Sequence, residues 1–330
     1  MAPNKPLIIF DTDMDTDCDD AGALAILLQY VKQGRADLLG ILTDAPDRYA
    51  AAACEAFCRH YGVSVPIGAV HDASYPTGEG TRFDRYRTHR ERNLAPARRY
   101  THLLAERVGK RDDEYPAAAK LYRRLLAGVE QGSVTIVCVG TLTAIDELLL
   151  TGPDEISPLS GVELVKQKVS RLVSMTNAAW PEVVANNFNY DMYPLASARV
   201  TATCPAPIHA SPDGARVVTG GSLSARLPAG HPLRLSYEMY NEGEGKGRSS
   251  WDLVALYYAL EEGSPCFAVH PRGRLCYKAD GLHTYWQPPA ASAGAGAGDP
   301  LPDRADREVR LTIPDAEMAA LLEELLVEAG

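Results

Sequence analysis

The order of apolar runs along the chain predicts an α/β fold, a mostly parallel sheet flanked by helices around a Rossmann-like core. Three observations carry this. Short apolar runs alternate with longer stretches of helical character, the order that lays helices over both faces of a parallel sheet. The run VTIVCV at 134–139 is followed by a Gly-Thr turn and a second helical stretch at 144–150. Finally, acids crowd the end of the first predicted strand, the place where such sheets bind ligands.

Residues 7–10, LIIF, form a short buried strand in this reading. Residues 21–33 carry Leu24, Ile26, Leu27, Leu28 and Val31 at helical spacing and run into Gly34, a stop signal. Residues 38–43 give a second strand, the alanine-rich 49–61 a helix, and 65–69 a third strand. A further strand is expected at 172–175 and a closing helix at 315–327. Three stretches differ. Residues 82–111 hold ten Lys/Arg against three Asp/Glu. Residues 213–250 are rich in Gly, Ser and charge and read as a loop-and-strand insertion. Residues 290–300, AASAGAGAGDP, form a flexible low-complexity loop.

With 330 residues, no internal repeat and no visible boundary, a single domain over 1–330 is expected, with inserted loops around 76–115, 213–250 and 288–305. The net charge of −10 argues against general affinity for nucleic acid or an anionic membrane. No apolar run approaches the ~20 residues that span a bilayer. The N-terminus, MAPNKPLIIFDTD, lacks the apolar stretch and cleavage site of a signal peptide, so a cytoplasmic location is expected. Seven scattered cysteines contain no C-x-x-C pair, which suggests neither a zinc site nor a disulfide framework. Cys54 and Cys58 share a helix face and read as a buried thiol pair.

The segment IIFDTDMDTDCDDAGALAI, residues 8–26, places six aspartates in ten positions: Asp11, Asp13, Asp15, Asp17, Asp19 and Asp20. Capping the next helix needs one or two acids, not six. Two carboxylates ~4 Å apart repel by about 4 kcal/mol at an effective dielectric of 20. Converging acids therefore hold protons or a cation. A hard divalent ion with oxygen ligands, Ca²⁺ or Mg²⁺, suits them, although the spacing is not that of an EF-hand.

This cluster resembles the N-terminal signature of the nucleoside hydrolase family of the inosine-uridine-preferring type. That signature reads D-x-D-P-G-x-D-D-A, with a longer variant close to D-T-D-M-G-T-D-x-D-D-A. Residues 11–21 are similar to the longer variant, with Asp15 standing where the family has glycine. Asp tolerates left-handed backbone better than most residues. Three further segments resemble the family in its order: VTIVCVGTLTAIDELL (134–149), NNFNYDMYPLASARV (186–200) and SSWDLVALYYAL (249–260). The ending IPDAEMAALLEELL is similar to the family's closing helix.

The resemblance implies hydrolysis of the N-glycosidic bond of a ribonucleoside or related riboside, giving ribose and free base. It implies Ca²⁺ held by Asp13, Asp20, Asp252 and the Val139 carbonyl. Asp13 would act as general base on a calcium-bound water. Asp19 and Asn187 would fix the 2′- and 3′-hydroxyls; counting back from Asp191 selects Asn187 from its neighbours Asn186 and Asn189. Asp11 would support the loop from behind, and Asp47 would lie by the reactive water. Trp251 takes the place of a histidine that protonates the departing base in many members. Tryptophan stacks on a base but is no acid. Ala185 replaces an acid that would meet the 5′-hydroxyl. A homo-oligomer, dimer or tetramer, is also implied.

Two alternatives follow from these departures. One is a riboside-binding protein that keeps the metal site without turnover. The other is a hydrolase of a phosphorylated riboside, with arginines of 82–111 meeting the phosphate. A Mg²⁺-dependent phosphatase also begins D-x-D after a strand, but its downstream Lys and late acidic pair are not evident. His71, His89, His102 and His283 show no metal-ligand spacing, no G-x-S-x-G elbow is present, and TGGS at 219–222 is too short for a phosphate loop.

Overall fold

The computed structural model describes residues 5–71, 85–86, 88, 99–288 and 304–330. Strand β1 (Leu7–Thr12) leads to α1 (Asp19–Lys32), and β2 (Asp37–Thr43) to α2 (Ala50–Tyr61). Then come β3 (Ile67–Ala69), α3 (Tyr100–Glu106), α4 (Ala118–Ala127) and β4 (Val134–Cys138). Helices α5 (Thr143–Leu149) and α6 (Gly161–Lys168) precede β5 (Val169–Ser174) and β6 (Val184–Ala185). Helices α7 (Phe188–Met192) and α8 (Pro194–Thr203) precede β7 (Ile208–Ala210) and β8 (Val218–Thr219). Next are α9 (Leu223–Arg226), α10 (Pro232–Tyr240), β9 (Arg248–Ser249) and α11 (Trp251–Leu260). The chain closes with β10 (Phe267–Lys278), β11 (His283–Gln287), β12 (Asp306–Leu311) and α12 (Asp315–Glu328).

Among the described residues a ten-stranded sheet runs in the order β3-β2-β1-β4-β5-β7-β12-β10-β11-β6. The first seven strands of that order pair in parallel. The last three join antiparallel, and β8 and β9 make a separate antiparallel pair. The expected α/β architecture is thus present, with an antiparallel extension. Pro271 and Gly273 interrupt β10, where the register shifts against β12. They mask the strand pattern there.

Alternation along β1 sends Ile8 and Phe10 into one core and Ile9 into the other, as a strand buried on both faces requires. The first core lies under α1, α2, α11 and α12, the second under α4, α5, α6 and α8. Leu24, Leu27 and Leu28 of α1 are fully buried, so truncating any one of them costs about 2–5 kcal/mol. Local signals set the helix ends. Ser160 and Glu163 form a capping box at α6, prolines open α8 and α10, and Gly62 closes α2 at φ 68°.

The stretch 213–250 corrects the expected loop-and-strand insertion. It holds the short β8 and β9, but also α9 and the nine-residue α10. Pro232 reads as a breaker in the sequence yet sits in the first turn of α10, where its missing N–H costs nothing. The low-complexity loop at 290–300 lies outside the described residues, as do residues 82–84, 87 and 89–98 of the basic stretch. No described helix is long and apolar enough to cross a membrane.

Candidate active site

Strand β1 pairs with β2 on one side and β4 on the other, so the connections leave it in opposite directions. The crevice beyond its carboxyl end is the topological switch point where open α/β sheets take ligands. A cleft of about 430 Å³ opens there. It is built from the loop after β1 (Asp13, Thr16, Asp17), the start of α1 (Asp19, Asp20), and Val139 just past β4. Residues past β5 (Met175–Asn177), around the start of α7 (Asn186–Asn189) and past β7 (Pro212, Asp213) add to it. Tyr240, Arg248, Trp251 and Asp252 complete the wall.

The carboxylates of Asp19, Asp20 and Asp252 each bring an oxygen within 4.8 Å of the others, and all three are buried. Asp19 Oδ2 accepts the Asp252 amide at 3.1 Å, and Asp20 Oδ1 accepts from the Thr12 hydroxyl. Asp13 lies outside that triple but lines the same cleft, and its Oδ2 is buried without a hydrogen-bond partner. Burial pushes Asp13 up to about 7, with repulsion from Asp17 adding to it. Burial also raises Asp19, Asp20 and Asp252 well above the usual carboxylate range, and their mutual charge adds to the shift. Left alone, these acids hold protons; a divalent cation would displace the protons and supply the missing partner.

A second buried acid group lies behind the first. Asp11, Asp44 and Cys138 also place ligand-type atoms within 4.8 Å of one another, but none of them lines the cleft. Asp11 Oδ2 accepts from Tyr122 Oη at 2.5 Å. Asp44 Oδ1 accepts from the Thr141 amide at 3.0 Å and the Thr141 hydroxyl at 2.9 Å. Gly140 permits this contact. A Cβ there would stand 2.3 Å from the Asp44 carboxylate and 2.4 Å from the Asp13 amide.

The structure therefore gathers Asp13, Asp19, Asp20, Val139, Asn187, Trp251 and Asp252 in one cleft, out of segments up to 239 positions apart (252 − 13). Asp47 is not among them. It lines a separate pocket with Arg48, His71 and Asp112, and its Oδ1 accepts the Tyr49 amide at 2.6 Å. The acid of that loop beside the cluster is Asp44, because its amide at 3.0 Å from the Thr12 carbonyl continues the β1–β2 pairing. Asp19 stands in the same tight triple as Asp20 and Asp252.

Asp15 takes φ 98°, keeping the left-handed turn of the glycine it replaces. Its Oδ1 accepts from the Thr101 hydroxyl at 2.6 Å, so α3 draws that carboxylate away from the cleft. Asn189, passed over in favour of Asn187, donates to the Val139 carbonyl at 2.5 Å. Asn187 donates to Thr176 Oγ1 and to the Asn177 carbonyl. Sequence reasoning also missed Arg248, Tyr240 and Asp213. Trp251 Nε1 donates to Asp213 at 3.0 Å, which fixes the indole. Of the basic stretch, Arg107 donates to the Gly230 carbonyl, Lys110 to Glu55, and Arg111 pairs with Asp113. None of these three lines the cleft.

An α/β sheet with an oxygen-rich acidic cleft at its switch point describes a ligand-binding α/β protein with a candidate cation site. Residues 8–276 match the inosine-uridine preferring nucleoside hydrolase family, and the chain belongs to it. Its fold is similar to that of a plant nucleoside hydrolase, at TM-score 0.64 and 18% identity over 98% of this chain and 99% of the other. It is similar to the inosine-uridine preferring nucleoside hydrolase from Bacillus anthracis at TM-score 0.62 and 14% identity, covering 98% and 99%. It also resembles the type III effector XopQ, solved with adenosine diphosphate ribose, at TM-score 0.66 and 13% identity, covering 99% and 94%. Comparison with curated proteins finds no match.

Proposed function

We propose that this chain hydrolyses the N-glycosidic bond of a ribonucleoside, releasing ribose and the free base, with Ca²⁺ as its metal. The observation that carries this is the set of buried oxygens at the switch point. Three carboxylates converge within 4.8 Å, and Asp13 Oδ2 lacks a partner. An all-oxygen donor set fits a hard cation. Asp13, Asp20, Asp252 and the Val139 carbonyl would hold it, with Asp19 close enough to join them. When bound, the cation would neutralise the acids and make a water molecule more acidic.

The chain's own residues do the rest. Asp13 takes the proton of the attacking water as general base. The carboxylates around it stabilise the positive charge that grows on the sugar as the C1′–N bond stretches. Asp19 and Asn187 hold the 2′- and 3′-hydroxyls, and this orients C1′ toward the water. Trp251, fixed by Asp213, stacks on the base.

A second reading, riboside binding without turnover, is favoured by one observation. Among the described residues lining the cleft there is no histidine, and by the family resemblance Trp251 stands where many members carry the proton donor. Release of free base from a panel of nucleosides, with calcium and again after chelation, separates the two. The first reading expects calcium-dependent release. Ribose binding with no release from any nucleoside would contradict it and support the second.

A further inference from the structure

A departing base leaves with the electron pair of the C1′–N bond, and that charge has to be protonated or stabilised. Arg248 is the only Lys, Arg or His among the described residues lining the cleft. It precedes Trp251 by three residues, and its Cζ lies 5.2 Å from the Trp251 ring centroid and 5.4 Å from that of Tyr240. Asp17 accepts from Nε at 2.8 and 2.9 Å and from Nη2 at 2.5 Å. Asp17 thus takes one edge of the guanidinium. Nη1 has no acceptor among the described residues, and the side chain keeps 34% exposure beside the cleft. The group is a cation clamped by a carboxylate and two rings, with donors left over.

We infer that Arg248 is a catalytic residue for the leaving group: its spare donors and fixed charge stabilise the base as it departs as an anion, in place of a proton donor. This rests on the hydrolase reading above. The electron pair of the C1′–N bond goes to the base nitrogen, and the new C1′–O bond forms to water. The water's proton passes to Asp13, and the free base takes its proton from solvent after release. Arginine stays protonated throughout, so it acts through charge and hydrogen bonds rather than by giving up a proton. Asp17 and the two rings preorganise it, so little reorganisation is needed as charge develops.

The test compares inosine with p-nitrophenyl riboside, whose leaving group already delocalises its negative charge. Arg248→Gln is expected to lower kcat on inosine by about 100-fold or more, the usual cost of one such donor, and on the nitrophenyl riboside by no more than about threefold. Arg248→Lys, which keeps the charge, is expected to recover about tenfold of the loss on inosine. Calcium binding and Tm of both variants are expected to match the parent. Should Arg248→Gln not fold, Arg248→Lys carries the test through a steeper dependence of kcat on leaving-group acidity than the parent shows. Equal losses on both substrates overturn the inference while leaving the hydrolase reading intact. A loss confined to nucleoside 5′-monophosphates also overturns it, since the cation would then be reading a phosphate. A parent protein that cleaves neither substrate overturns the inference, and the hydrolase reading falls with it only if no nucleoside of the panel is cleaved either.

Discussion

Two groups of buried acids sit a few residues apart, and they differ in what surrounds them. Around Asp11 and Asp44 the fold supplies donors to one oxygen of each, the Tyr122 hydroxyl to Asp11 and the Thr141 amide and hydroxyl to Asp44, while Asp11 Oδ1 and Asp44 Oδ2 have no partner among the described residues. Around Asp13, Asp19, Asp20 and Asp252 it supplies few, and Asp13 Oδ2 has none. Both groups are closed to bulk water, yet only the second opens onto the cleft. Each group thus keeps a buried oxygen without a partner, and what separates them is access: only Asp13 Oδ2 belongs to a residue lining the cleft, where a group from outside can supply it.

Variants of the two groups can break this contrast or make it sharper. The largest effect is expected for Asp13→Asn, which removes the general base and one candidate ligand. Base release measured by absorbance should fall about 10²- to 10⁴-fold. A variant within tenfold of the parent would place the chemistry elsewhere.

Next comes the response to pH. Burial holds Asp13 and Asp11 at about 7 in the folded chain, against an unfolded value of about 3.9. Between those values the folded state binds more protons than the unfolded one. Stability of the metal-free protein is therefore greatest below about pH 4 with respect to these groups, and is lost as pH rises through about 7. Calcium competes with the proton on Asp13, so its stabilising effect should grow over the same interval. Thermal melts with calcium and with chelator should separate by about 5 °C more at pH 8 than at pH 5.5, on the order of 2 kcal/mol. A gap that narrows toward high pH would reverse the sign and break the account.

Asn189→Ala frees the Val139 carbonyl from its donor. Calcium affinity should drop about tenfold, as when a partner behind a metal ligand is lost. Unchanged affinity would show that the carbonyl needs no such support. Tyr122→Phe, which strips a donor from the scaffold group, should cost roughly 1 kcal/mol of stability. Calcium titration should be unaffected. If this variant weakened calcium instead, the two groups would be one unit.

Most of the fold was legible from the sequence because its strands are buried on both faces. The runs at 7–10, 38–43 and 134–139 therefore stand out as continuous apolar stretches. The antiparallel extension did not stand out, since the proline and glycine of β10 break its alternation. The acidic cluster was legible by density alone; Asp13, Asp19 and Asp20 were singled out within it by the family motif. Val139, Asn187 and Asp252 needed a family motif, because single residues at the ends of separate strands carry no local pattern. Asp47 was expected from the family resemblance, and it is the hydrogen bond extending β2 past Thr43 that sets Asp44 of the same loop beside the cluster. Arg248 gave one faint signal, a cation three residues before the Trp-Asp pair. Its role depends on Asp17, 231 positions away in the sequence, and on Tyr240 at the end of α10.

The most direct test is calorimetric titration of the chelator-treated full chain with calcium chloride, run beside Asp20→Ala and Asp252→Ala. The account predicts one calcium ion per chain, proton release on binding, and affinity lost by at least about 100-fold in both variants. No uptake by the parent, or uptake that both variants retain, would contradict it.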